Sequence, residues 1–151
     1  MPLFDKLTVS SPDFENLGPI PERLSADGGN ETPVIEFSGA PEGTVELALI
    51  VHDPDAPLPT GFTHWVVYGI PAGTTTLDLA ADGVRVGPMT MGETAYSGPQ
   101  PPAGHGRHHY FFHVYALGTA VEGIPTREEF LARYAGDVIE TARYVGTFSR
   151  D

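Results

Sequence analysis

Cysteine is absent from this 151-residue chain, which removes disulfides, thiolate metal sites, a thiol nucleophile and a CxxC redox centre from consideration. Basic residues are scarce as well: eight Lys and Arg stand against twenty Asp and Glu, for a formal charge of −12. Nucleic acids and anionic membrane surfaces are held mainly through cations on their phosphates. Neither is therefore an expected partner. Long apolar runs are also missing. No stretch approaches the roughly 18 apolar residues that cross a bilayer, and the opening MPLFDKLTVSSPDF carries no apolar signal core. The expectation is a cytoplasmic protein without a membrane span.

What the chain does have is turn residues: fifteen prolines and eighteen glycines, spread along its length. Such punctuation suits many short strands joined by turns, so the fold class is expected to be mainly β. The length suits one domain over 1–151. VIEFS (34–38), bounded by turn residues, reads as a strand. TVELALIVHD (44–53) puts Val45, Leu47, Leu49 and Val51 on one face and Ala48, Ile50 and His52 on the other. That near-continuous apolarity predicts a strand covered on both sides. HWVVYGI (64–70) and HYFFHVYAL (109–117) have the same character, and YVGTFS (144–149) reads as a closing strand. Thr126 with Glu129 has the form of a capping box, and Phe130, Leu131, Tyr134, Val138, Ala142 and Val145 follow at helical spacing. One C-terminal helix is expected, or two if Gly136 breaks it and Asp137 caps the second.

Two segments can carry chemistry. In DPDAPLPTGFTHW (53–65), Asp53 and Asp55 flank a proline. Such pairs commonly fold as turns whose carboxylates accept neighbouring backbone N–H groups. Here, however, the pair ends a central strand and His64 begins the next, so two carboxylates and an imidazole can meet at one sheet end. The second segment, SGPQPPAGHGRHHYFFHVYAL (97–117), holds four of the six histidines. Strand alternation divides them, placing His108 with Tyr110 and Phe112 on one face and His109 with His113 on the other. The latter two suit framework roles, and His105, between two glycines, suits solvent.

A zinc site is the sharp alternative for so dense a histidine run. No HExxH helix is present, adjacent strand histidines face opposite ways, and only a mixed set of Asp53, Asp55, His64 and His108 stays open to a metal. No cofactor or metal is expected. A GxSxG elbow and a phosphate-binding glycine loop leading into a helix are both lacking. The Pro/Gly loop can instead form a stiff wall whose N–H groups, around Gly98 and Gly104, could receive an anion.

Taken together, DPDAPLPTGFTHWVVYGIP and GPQPPAGHGRHHYFFHVYAL resemble the two signatures of the phosphatidylethanolamine-binding proteins, in particular the bacterial Raf kinase inhibitor-like branch. They match in order, spacing and strand context, and similarity extends from about Phe14 to Arg150. The resemblance implies a large antiparallel sheet packed on a smaller one, with edge helices and a small pocket at one sheet end. Its pocket positions correspond to Asp53, Asp55, His64, Pro101, Pro102, His108 and Tyr110, to which the loop N–H of Gly98 adds a candidate ligand-binding group. The implied ligand is a small anion such as phosphate, acetate or phosphorylethanolamine, with no catalysis. The resemblance also implies cis peptide bonds near the pocket and a homodimer; the alternatives to a binding role are a kinase-inhibitor-like regulator acting on an unnamed protein partner through the pocket rim, and a metal-dependent hydrolase using Asp53, Asp55, His64 and His108. Two departures stand out: GFTHW lacks an additional aromatic before His64, and Gly136-Asp137 stands where many bacterial relatives carry Gly-His. A phosphoryl group beside carboxylates needs compensating protons, which His64 and His108 could supply, with Tyr110 as a neutral donor. Affinity is then expected to rise as pH falls through the histidine range.

Overall fold

β-branched and aromatic side chains fill the segments that pair, and their alternation produces two layers of core. The structure, a computed structural model, describes residues 6–150. Five residues of the opening segment and Asp151 lie outside the described residues. Strands β1 (Thr8–Ser10), β2 (Gly18–Pro19), β3 (Glu36–Ser38), β4 (Glu46–Asp53), β5 (Phe62–Pro71), β6 (Arg85–Val86), β7 (His108–Leu117) and β8 (Val138–Phe148) are joined by turns, with one α-helix, α1 (Arg127–Tyr134). Six strands form a sheet in the order β2-β8-β7-β4-β5-β6, and β1 pairs with β3 in a small second sheet. The large sheet is antiparallel except at its edge, where β2 runs parallel to β8.

β4 is central and every residue in it is buried. Leu47, Leu49 and Val51 join a core with Val9 and Phe37 of the small sheet. Ala48 and Ile50 join the opposite core, with Val66, Tyr68 and the helical Phe130 and Tyr134. The strand is thus covered on both faces, as its continuous apolarity predicts. Val45 precedes the strand and is exposed, and VIEFS pairs only from Glu36 onward.

The C-terminal segment corrects the two-helix expectation. Thr126 does cap α1: its hydroxyl accepts from Glu129 N at 3.2 Å, and Glu129 Oε1 accepts from Thr126 N at 2.9 Å. The helix stops at Tyr134, a 3-10 turn spans Ala135–Asp137 without any side-chain cap, and Val138 starts β8. Positions four apart, Val138 and Ala142, fit a period of two as well as a helical one, so spacing could not separate the two. Val138, Ile139, Thr141, Val145 and Thr147 favour the pleated strand. Pairing with β7 from His108↔Phe148 to Leu117↔Val138 decides the matter.

All peptide bonds among the described residues are trans, so the implied cis bonds near the pocket are absent. Among the same residues, no helix is long and apolar enough to cross a membrane.

Phe130 is fully buried and lies between Tyr68, at 5.5 Å between ring centroids, and Tyr115, at 5.3 Å. Phe130→Ala should cost about 3–5 kcal/mol, read as a lower denaturant midpoint. An unchanged midpoint would show that α1 is not held to the sheet through this ring.

Candidate functional site

β4 ends and β7 begins side by side, and this brings the two motif segments together. A cavity of about 250 Å³ opens there, lined among others by Asp53, Phe62, His64, Pro101, His108 and Tyr110. Gly98 and Pro102 also line it, as do Ala56, Pro57, Leu58, Ser97 and Gln100. Most of this wall is apolar. Among the described residues, Asp53 is the one carboxylate that lines it, and no Lys or Arg does.

Asp53 serves two partners. Its Oδ1 accepts from Asp55 N at 2.7 Å, the Asp-Pro-Asp turn that its sequence suggests. Its Oδ2 lies 2.6 Å from His108 Nδ1, with both side chains about 2–3% exposed. The buried carboxylate thereby fixes the ring and places a proton on Nδ1. Gly61 lets the intervening loop return to the strand: at φ 73°, a Cβ there would come within 2.5 Å of the Asp53 carbonyl oxygen.

Asp55 does not face the cavity. Its Oδ2 accepts from His109 N at 2.8 Å and lies 3.0 Å from His109 Nδ1. Both side chains are more than two-fifths exposed. Burial pulls the Asp55 carboxyl up, but the His109 N–H groups outweigh it and leave the carboxyl below its ordinary range. Because His108 and His109 face opposite ways, the two aspartates that pair with them part as well. No group of three or more His, Cys, Asp or Glu among the described residues is arranged to hold a metal.

His64 corrects the expectation that it supplies positive charge. Its Nδ1 donates to the Ser97 carbonyl at 2.7 Å, and its ring is enclosed by Phe62 and Tyr110, at centroid distances of 4.6 and 5.1 Å. Burial lowers its pKa to about 4, against smaller opposing effects of the Ser97 carbonyl and Asp53. It is a neutral imidazole at ordinary pH, with Nε2 left as an acceptor. Tyr110 is 1% exposed, and its hydroxyl has no protein partner among the described residues; Trp65 Nε1 is the other such buried atom. Burial raises the Tyr110 pKa, so the phenol stays a donor.

The Pro/Gly wall also differs from expectation. Gly98 N donates to Asn30 Oδ1 at 2.7 Å, and Gly104 N to the Arg150 carbonyl at 2.9 Å. Both N–H groups offered to an anion are already used. Asn30, itself at φ 52°, also donates to the Tyr96 carbonyl at 3.1 Å and so clamps both sides of Ser97. Gly98 is required for the close approach, since a Cβ would lie 2.1 Å from the Leu24 carbonyl oxygen. Sequence reasoning missed Asn30, whose only signal is its place after Gly28-Gly29 in a turn, and missed the apolar wall from Ala56 to Leu58 and Phe62.

His113 lies outside the cavity, stacked on Phe111 at 5.8 Å, and burial lowers its pKa to about 4. His105 is exposed, yet its Nδ1 lies 2.6 Å from His108 Nε2.

Three comparisons with known proteins bear on this site. The family model described as "Phosphatidylethanolamine-binding protein" matches residues 10–149. A protein of Aquifex aeolicus named UPF0098 protein is 39% identical over 154 residues, covering 96% of this chain and 90% of its own. Among solved structures, Escherichia coli YbcL, described as a member of the mammalian PEBP family, superposes with a TM-score of 0.89 at 29% identity. That match covers 97% of this chain and all of YbcL. The Chlamydia trachomatis homologue CT736, described as a putative phosphatidylethanolamine-binding protein homologue, gives 0.87 at 32% identity, covering 97% and 99%.

His64 and His113 both have pKa values lowered to about 4, whereas unfolded histidine titrates near 6.5. Between those values the unfolded chain binds protons that the folded one does not. Stability should therefore fall as pH drops from about 6.5 towards 4, by up to about 1.4 kcal/mol per pH unit for each histidine. Urea unfolding at about pH 7 and pH 5 checks this; equal stability at both would contradict the neutral, buried assignment.

Proposed function

The chain belongs to the phosphatidylethanolamine-binding protein family, and on that footing we propose that it is a non-catalytic binding protein for small oxyanions. The ligand class comprises phosphate, carboxylates such as acetate, and phosphorylated headgroups such as phosphorylethanolamine. The observation that carries this reading is the unpartnered Tyr110 hydroxyl, buried in the cavity beside a His108 ring oriented by Asp53. A buried donor without a partner costs about 1–3 kcal/mol, and an anionic oxygen offsets that cost.

Charge sets a condition on this class: an anion placed near Asp53 needs a compensating proton, and His108, hydrogen-bonded to that carboxylate, is the group positioned to hold it. Neutral His64 Nε2 then accepts from a ligand hydroxyl, such as that of a phosphate monoanion. Size supports a headgroup rather than a whole lipid: about 250 Å³ lies below the roughly 300–1,000 Å³ of pockets that enclose drug-sized ligands. Two acyl chains have no room in it. The apolar wall around Leu58 and Phe62 suits the short carbon portion of such a ligand.

NMR titration with phosphate and with acetate tests the proposal, with shifts expected at His64, His108 and Tyr110. Tyr110→Phe should weaken binding about tenfold, equivalent to about 1.4 kcal/mol, while leaving the fold intact. Acetate stays ionised from about pH 6 to 8, across the range where histidine titrates, so tighter binding at lower pH would report proton uptake by the protein. Shifts scattered over the surface, or equal affinity in Tyr110→Phe, would overturn the assignment of this cavity as the binding site.

A further inference from the structure

Both nitrogens of His108 are occupied within the protein. Nδ1 faces Asp53 Oδ2 at 2.6 Å and Nε2 faces His105 Nδ1 at 2.6 Å, so Asp53, His108 and His105 form a continuous chain from buried carboxylate to solvent. If a ligand oxygen is to bond to His108, it needs Nε2, because Nδ1 is committed to the buried carboxylate. We propose that His105 is an internal competitor for the ligand: it fills the Nε2 position of His108 in the empty protein and yields it to an anionic oxygen on binding. The inference rests on the anion-binding reading above.

The surroundings of His105 suit a group that leaves. Its ring is exposed and the tilted contact with His108, at 4.8 Å between centroids, is its ring contact. It stands between Gly104 at φ 73° and Gly106 at φ 89°, neither of which has any atom within 4 Å of where a Cβ would lie. The backbone on both sides can therefore move without displacing packed neighbours. Two anchors bound the motion: His105 N donates to the Pro102 carbonyl at 3.1 Å, and Gly104 N donates to the Arg150 carbonyl at 2.9 Å. The ring can swing while the loop stays attached.

Chemistry separates competitor from competed group. Only one of the two facing nitrogens can carry the shared proton when the pair is neutral, and His105 is then a neutral partner for Nε2. A protonated His108 donates at Nε2, and an anionic oxygen is the stronger acceptor for that proton. Exchange of His105 for the ligand is favoured in that state alone. Apparent affinity is reduced by the fraction of molecules in which His105 holds the position.

Phosphate and acetate titrations of wild type, His105→Ala and His105→Gln test the proposal, together with ¹⁵N spectra of the imidazole nitrogens. His105→Ala should bind about three- to tenfold more tightly than wild type, and His105→Gln, which retains a side-chain partner for Nε2, should fall between them. In wild type, saturation with phosphate should move the His105 nitrogens to the shifts of an exposed histidine. If wild type binds and His105→Ala binds equally or more weakly, or if the His105 resonances do not move, the competitor role is overturned while the anion-binding reading stands. If neither protein binds either anion, that reading fails and the competitor role fails with it.

Discussion

The Asp53–His108 contact is the interaction on which the rest of the site depends. A carboxylate and an imidazole, both almost wholly withdrawn from water, meet where β4 ends and β7 begins. Removing one member of such a pair leaves the other buried without its partner, at a cost of about 1–3 kcal/mol and more for a charged group. Everything around the pair follows from keeping it intact. The Pro-Asp turn supplies a second hydrogen bond to Asp53, Gly61 permits the loop to close, and Tyr110, two residues along the strand from His108, inherits a place in the same cavity.

Around that pair the cavity is arranged with little charge. His64 is held neutral by burial, its Nδ1 committed to Ser97, and Asn30 ties down the Ser97 loop from both sides. Two N–H groups of the Pro/Gly wall, those of Gly98 and Gly104, are already taken by Asn30 Oδ1 and the Arg150 carbonyl. On the proposed anion-binding reading, recognition falls to three side chains: the Tyr110 hydroxyl, His64 Nε2 and, with His105 displaced, His108 Nε2. Such a site would discriminate by hydrogen-bond pattern and proton placement more than by net attraction.

Much of the fold was legible because continuous apolarity in β4, β5 and β7 can only be satisfied between two covers. The face split of His108 and Tyr110 from His109 and His113 was equally legible, since it follows from alternation alone. The segment after Tyr134 was not, because Val138 and Ala142 recur at a spacing common to helix and strand, and only the pairing with β7 distinguishes them. Within the site, the outward position of Asp55 is not legible, because residue type says nothing about which side of a turn a carboxylate takes. Nor is the neutrality of His64, which depends on burial and on a carbonyl 33 residues away. Asn30 and the His105–His108 contact depend on loop conformation, which periodicity does not encode.

Substituting Asp53 by asparagine separates two roles for this carboxylate, which lead to opposite results. If Asp53 acts chiefly as a negative charge beside an anion, Asp53→Asn should bind phosphate more tightly. If its carboxylate instead orients the His108 ring for an anion, binding should weaken by at least about tenfold, or about 1.4 kcal/mol, in a protein that remains folded. Unchanged or tighter phosphate binding by folded Asp53→Asn would contradict the orienting role of this carboxylate.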